Sequence, residues 1–193
     1  RAADHDPGPD EFPVPSLPFP FYDGFRLGLP RVPRGLGPVD VVHVHTPFSL
    51  GYAGARLARR RGRPLVTSYH TPIAEYAGYL APADTVERGL RRASHRYERW
   101  FLSRVDLVIT PSEVTRDRLV DLDLPVRVES VPNGVDVDRF RPVDHAGFRD
   151  RVGLPDGPLV GYTGRHGFEK RLDVLVDAAA DLDATVVFGG DGP

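Results

Sequence analysis

Cysteine and methionine are absent from this 193-residue chain, tryptophan occurs once, and by inspection lysine occurs once among the 25 basic residues. Without cysteine there is neither a disulfide framework nor a Cys-containing zinc site, so the expected compartment is reducing or indifferent, cytoplasmic by default. No apolar run approaches the roughly 20 residues needed to span a bilayer. No basic, then apolar, then small-residue signal opens the chain. Excess charge of one sign is also missing: a net charge of -2 argues against the broad basic field of a nucleic-acid binder, and no nucleic-acid partner is expected. The sequence starts at Arg1 and stops in the glycine turn of ATVVFGGDGP, so it is expected to be a segment of a longer protein.

What is present, 40% hydrophobic and 27% charged residues, describes an ordinary globular composition. Residues 1–38 hold Pro7, Pro9, Pro13, Pro15, Pro18, Pro20, Pro30, Pro33 and Pro38, interleaved with Phe12, Phe19, Phe21, Tyr22 and Phe25. Prolines this dense forbid a long helix or a central strand, and predict an extended arm whose aromatics tuck onto the body. From residue 39 a βα rhythm begins. Strands are expected at VDVVHVH (39–45), PLVTSYH (64–70), DLVIT (106–110) and VRVESV (126–131). Helices are expected over 49–62, closed by Gly62, over 84–104, and from a Ser112 cap to about 121. PNGVDVDRFRPVD (132–144) is turn-rich, with Asn133–Gly134 expected in a positive-φ turn beside a hinge. GPLVGYTG (157–164), a helix over 168–182 and ATVVFGG (184–190) begin a second βα series. Alternating strands and helices predict α/β architecture with parallel, doubly covered sheets. The expected domains are 1–138, including the 1–38 arm, then a 139–156 linker and a second domain starting at 157–193.

The single lysine lies in GRHGFEKRLD (164–173), between a strand and a helix. Ligands of open α/β sheets bind at the carboxyl ends of strands, where a helix N-terminus favours anions and disfavours cations. Arg165, Lys170 and Arg171 crowd that position, relieved in part by Glu169, which suits a bound anion. Gly164 and Gly167 allow close backbone approach, Arg165 can fork onto two oxygens, and Lys170 supplies a compact mobile charge. These residues predict a diphosphate site, against the alternative of a solvated loop with incidental charges. Asp191 sits where a ribose-binding acid would stand in a dinucleotide fold, but Gly161, Gly164 and Gly167 do not make G-x-G-x-x-G.

Two further groups stand out. His43 and His45 share a strand face, and His45 and His70, followed by Thr71, mark the carboxyl ends of adjacent strands. That placement suits a cleft for sugar hydroxyls better than a metal site, which would need a third ligand. The 84–104 segment carries Arg88, Arg91, Arg92, Arg96, Arg99 and Arg104 opposite an apolar stripe of Val86, Leu90, Ala93, Tyr97, Trp100 and Phe101. This is either a solvated face paired with Glu87 and Glu98 or a face for anionic lipid.

VDVVHVHTPFSLGYAGARLARRRGRPLVTSYHT, VDLVITPSE, VPNGVDVDRF, YTGRHGFEKRLDVLVDAA and GGDGP, in this order, resemble the GT-B glycosyltransferases of family 4, from about residue 12 to 193. The resemblance implies two Rossmann-like doubly wound domains, both incomplete here, facing a cleft. It implies that Arg165 and Lys170 grip the diphosphate of a nucleotide-sugar donor, UDP- or GDP-linked. It matches His70 to a histidine touching the transferred sugar, and Gly190, Asp191 and Gly192 to a turn near the nucleotide, with His45, Thr71 and Asn133 lining the sugar or acceptor side. Catalysis would be retaining hexosyl transfer, with no obligatory metal although a divalent cation is permitted. The family's N-terminal glycine-rich turn would lie before residue 1 and its E-x7-E motif after Pro193, so this segment alone is expected to be inactive. SYHTPIAEYAGYL resembles members acting on lipids, which with the Arg-rich helix favours a membrane-surface acceptor, and a peripheral location, over a glycan. The alternatives are a nucleotide-sugar epimerase and a non-catalytic binding remnant.

Overall fold

The computed structural model of the chain describes residues 6–18, 26–70, 84–142, 147–167 and 170–192, with helix backbone alone at 84–87. It divides into two compact units, Arg1–Gly134 and Val135–Pro193. The first is built on a four-stranded, all-parallel sheet in sequential order: β3 (Val42–Val44), β4 (Leu65–Ser68), β5 (Leu107–Thr110) and β6 (Arg127–Ser130). Between consecutive strands run α1 (Ser49–Arg61), α2 (Asp84–Leu102) and α3 (Glu113–Val120). Each β-branched run noted in the sequence yields a strand, shortened at both ends except at Thr110, where expected and observed ends coincide.

The helix signals hold in detail. Gly62 closes α1 in the left-handed region at φ 60 and ψ 41. There the Arg63 N–H reaches the Ala58 carbonyl at 3.0 Å, a glycine-dependent closure, and Arg59, Arg60 and Arg61 meet the negative helix end. Ser112 caps α3, its Oγ accepting from the Thr115 N–H at 3.3 Å. Alpha-helix α1 lies very close to β3: a Cβ at Gly51 would sit 1.9 Å from the Thr46 carbonyl oxygen, and one at Gly54 2.5 Å from Val44 Cγ1. The core comprises Val42, Val44, Ala58, Leu65, Tyr69, Phe101, Leu102, Val105, Val108 and Leu119. Burying a side chain such as Leu102 or Leu119, each 2% exposed, contributes about 1.5–3 kcal/mol.

The stripe of α2 is rotated from the expected one. Leu90, Tyr97, Phe101 and Leu102 turn inward with Glu98, whereas Ala93 is exposed and Trp100 is 40% exposed with the Arg104 guanidinium 4.4 Å above its ring. Ala93 and Trp100 lie seven apart, on the border of the apolar arc, and the large indole is satisfied by the cation instead of the core. Glu98, expected on a solvated face, is buried, with His95 Nδ1 at 3.8 Å. Val86 and Glu87 have side chains outside the description.

The arm departs from expectation by forming a small antiparallel ladder, β1 (Ser16–Pro18) with β2 (Arg26–Gly28). Its Pro18 sits on an isolated two-stranded ribbon, where the missing N–H is tolerated. The Ser49 Oγ donates to the Gly28 carbonyl at 2.5 Å, tying the ribbon to the start of α1. Phe12 is not tucked in but 41% exposed, while Phe19, Phe21, Tyr22 and Phe25 lie outside the described residues. The Asn133–Gly134 turn is also corrected: neither residue takes positive φ. The chain turns at 136–140 instead, where Asp136 Oδ1 accepts from the N–H groups of Asp138 at 3.1 Å and Arg139 at 3.0 Å. An aspartate side chain that closes its own turn removes the need for a left-handed residue at Asn133–Gly134.

The second unit holds α4 (Phe148–Val152), then β7 (Leu159–Thr163), α5 (Leu172–Ala179) and β8 (Thr185–Gly189), with β7 and β8 parallel. On α5, Leu172, Leu175 and Ala179 are half-buried as predicted, but Val176 is exposed.

Candidate functional site

In the second unit the register runs Leu159↔Thr185 to Thr163↔Gly189, so β7 and β8 end together and their following loops emerge side by side. The parallel ladder continues past both strand ends. The Gly164 N–H donates to the Gly189 carbonyl and the His166 N–H to the Asp191 carbonyl, both at 2.9 Å. Glycine is required here for two separate reasons. Gly164 and Gly190 hold φ 153 and 142. A Cβ on Gly190 would lie 2.0 Å from the Gly164 oxygen, and one on Gly192 would lie 2.7 Å from the His166 N and O. The two loops therefore interlock backbone to backbone.

This lock places the residues expected at a diphosphate. Arg165 and Lys170 are exposed on the first loop and Asp191 on the second. The Tyr162 hydroxyl donates to the Arg165 carbonyl at 2.8 Å, and the Lys170 N–H donates to the Gly167 carbonyl at 2.9 Å, so both cation-bearing residues are held through their backbones. Among the described residues no carboxylate pairs with Lys170. Gly192 donates its N–H to Asp191 Oδ1 at 2.8 Å, and Gly164 its own to β8. Those two glycines thus supply space rather than donors. Glu169 and Thr71 lie outside the described residues.

Arg171 corrects the expected crowd of cations. Helix α5 begins at Leu172 rather than near Phe168, and Arg171 precedes it in the left-handed region at φ 48 and ψ 46. Its guanidinium forks onto Asp173, at 3.1 Å from Nε and 2.9 Å from Nη2, which raises the Arg171 pKa and lowers that of Asp173 through the shared hydrogen bonds. The first-turn acid of α5 thus neutralises Arg171, and Lys170 stands one residue ahead of it, in the turn before the helix.

Sequence reasoning missed the ring cluster under this loop. Tyr162 and Phe188 are register partners with centroids 6.4 Å apart, and His166 lies 6.2 Å from Tyr162 and 6.5 Å from Phe188. His166 Nε2 is buried without a hydrogen-bond partner among the described residues. Only the pairing of β7 with β8 brings these rings together; periodicity within either strand carries no such signal.

In the first unit the histidines do meet. His43 and His45 stack at 4.4 Å, His45 and His70 at 5.4 Å with planes 4° apart. His45 Nδ1 is 3.1 Å from His70 Nε2, and His43 Nε2 is 2.8 Å from Ser68 Oγ. Burial, then the charges of His45 and His70, hold His43 below its ordinary value. Ser68, for which no sequence motif argued, anchors the row. Asn133 is exposed and lies in irregular chain within the first unit. Among the described residues no group of three His, Asp or Glu side chains is arranged to hold a metal ion.

A parallel α/β framework whose loops emerge side by side at the strand ends defines the open-sheet, Rossmann-like class of fold. The solved sucrose-phosphate synthase of Thermosynechococcus elongatus matches 78% of this chain and 37% of its own at TM-score 0.60 and 23% identity, a likeness of GT-B fold alone. The family model described as Glycosyltransferase Family 4 matches residues 2–139, and the chain belongs to that family. It is 37% identical over 185 residues to a GDP-mannose-dependent alpha-mannosyltransferase of Mycobacterium tuberculosis, covering 93% of this chain and 47% of that protein. It is 30% identical to an alpha-monoglucosyldiacylglycerol synthase of Streptococcus pneumoniae, over 93% of this chain and 44% of that protein. A D-inositol 3-phosphate glycosyltransferase of a Nocardioides strain shares 38% identity over 76% of the chain and 32% of its own length. The chain therefore spans about half the length of these relatives, or less.

Proposed function

We propose that the protein containing this chain transfers a hexosyl group from a nucleotide-diphosphate sugar to a lipid or glycan acceptor, with retention of anomeric configuration. The observation that carries this reading is the interlocked pair of glycine loops after β7 and β8, which presents Arg165 and Lys170 beside bare backbone. As the bond from the anomeric carbon to the diphosphate breaks, negative charge grows on the leaving oxygen, and two held cations stabilise it as it forms. The acceptor hydroxyl attacks from the leaving-group face, its oxygen bonding to the anomeric carbon while its proton passes to the departing diphosphate. No enzyme nucleophile is then needed. His70, with His45, meets the hydroxyls of the transferred sugar, and Asp191 stands near the nucleotide. The donor domain begins at about residue 157, after the 139–156 linker.

GDP-mannose is the favoured donor, since the mycobacterial relative is named for it. A lipid acceptor is supported by the name of the diacylglycerol relative and by the exposed Arg88, Arg92 and Arg96 of α2. Arg99 is less available, because its guanidinium donates to the Leu122 and Asp123 carbonyls. The proposed attachment is peripheral, at the cytoplasmic face; among the described residues no helix is long and apolar enough to cross a membrane.

A thermal-shift comparison of GDP-mannose, UDP-glucose and ADP-glucose on the full-length protein tests the donor, because a ligand at 100 times its Kd stabilises by about 2.7 kcal/mol. A shift with GDP-mannose alone is expected, and no shift with any of the three, at millimolar ligand, refutes the site. Co-sedimentation with phosphatidylglycerol vesicles but not phosphatidylcholine vesicles, lost in an Arg88→Glu, Arg92→Glu, Arg96→Glu variant, tests the surface. Equal recovery with both lipids argues against it.

A further inference from the structure

We propose that His45 is a positioning residue that fixes the tautomer of His70, so that His70 presents Nδ1 as a hydrogen-bond acceptor. The contact that couples the two rings is the 3.1 Å approach of His45 Nδ1 to His70 Nε2 between planes only 4° from parallel. Two neutral imidazoles joined in this way share one proton, so the tautomer of one ring dictates that of the other. Either His70 Nε2–H donates to His45 Nδ1, leaving both rings protonated at Nε2, or the reverse holds and both carry the proton at Nδ1. Neutral histidine intrinsically prefers protonation at Nε2, and the first arrangement satisfies that preference twice. It leaves the His70 Nδ1 lone pair as the ring's remaining polar atom, suited to a donating hydroxyl.

The surroundings keep His45 in place. It directly follows β3, two residues after His43, and stacks on that ring at 4.4 Å, and His43 is itself held by Ser68 of the neighbouring strand at 2.8 Å. The parallel pairing of β3 with β4 sets all of these positions, with His43 opposite Val66 and Val44 opposite Thr67. The row is therefore framed by backbone on two strands, and its last member is the residue at the expected sugar position. That His70 meets a sugar hydroxyl rests on the function proposed above; the tautomer does not.

The 193-residue chain, labelled with 15N, tests this by long-range 1H–15N correlation of its imidazoles at a pH where all are neutral. His70 is expected as a single Nε2–H tautomer. In His45→Phe, which keeps a stacking ring but removes Nδ1, the His70 signal should relax to a mixture of tautomers. In His45→Asn, whose amide oxygen falls near the original Nδ1, the single tautomer should return. An Nδ1–H form of His70 in the parent chain, or a His70 spectrum unchanged in His45→Phe, overturns the proposal, and if His45→Phe does not fold, a mixed His70 tautomer in His45→Asn does so. In turnover of GDP-mannose by the full-length protein that contains this chain, kcat should fall in His45→Phe and recover in His45→Asn. A locked tautomer in a full-length protein that turns over no nucleotide sugar would refute the transferase reading while leaving the positioning role standing.

Discussion

In the proposed transfer, Lys170 is the residue on which the chemistry turns. Its backbone is fixed by Gly167, and among the described residues no carboxylate neutralises it. Replacing it with alanine in the full-length protein should lower donor turnover by about 10²-fold or more, the usual effect of deleting one charge-stabilising group. The circular dichroism spectrum should not change, because the side chain is exposed. Near-normal turnover in that variant would remove Lys170 from the mechanism. Arg171, one position later, behaves oppositely, since its charge is tied to Asp173 and its substitution should leave turnover much closer to normal. Sequence alone does not separate these neighbours. Both are cations before a helix, and only the hydrogen bonds to Asp173 distinguish them. At His43 the prediction concerns pH. Its folded pKa lies below the ordinary 6.5, so between the two values the unfolded chain binds the proton that the folded chain refuses. Its contribution to stability is thus complete above pH 6.5 and is lost as pH falls through the lower folded value. Urea unfolding between pH 7.5 and 5 should show that loss, and His43→Gln, which can still reach Ser68, should flatten it. An identical pH dependence in both proteins would contradict the assignment.

At the scale of elements, the two glycines of helices α1 and α2 make opposed predictions. Both are helical, so alanine gains up to about 1 kcal/mol of helix propensity at either position. At Gly51 the new Cβ would lie 1.9 Å from the Thr46 carbonyl, and overpacking of that kind costs about 1–3 kcal/mol or more. Gly89 has nothing within 4 Å of the added atom. Gly51→Ala should therefore destabilise the fold by about 2 kcal/mol, and Gly89→Ala should stabilise it by about 0.5–1 kcal/mol, as read from denaturation midpoints. A neutral Gly51→Ala would mean that α1 is free to move away from β3. Element types and caps were legible because they rest on local causes: β-branched runs, the Gly62 closure and the Ser112 cap all act within a few residues. The β1–β2 ladder was not legible. It rests on pairing across residues 19–25, and proline density argued only against long or central strands.

For the whole molecule, stability is unevenly shared. Among the described residues every buried hydrophobic side chain belongs to Arg1–Gly134, and those of Val135–Pro193 are at most half-buried. A two-stranded ladder with one covering helix is marginal by itself. Hydrogen exchange should therefore protect the amides of Val108 and Ile109 far longer than those of Val160 and Val187, and equal protection would contradict this distribution. The sequence by itself determined the parallel α/β class, the family, and the loops that carry Arg165, Lys170 and His70. Strand and helix periodicity, glycine placement and motif order are all written in neighbouring residues. The tertiary structure alone decided which of those residues meet. The strand register set His45 against His70, Ser68 beneath His43, and Tyr162 with Phe188 around His166. It also interlocked the Gly164 and Gly190 turns. Those contacts join segments roughly 25 residues apart in the chain, and hydrogen-bond register across a sheet leaves no periodic trace in either strand alone.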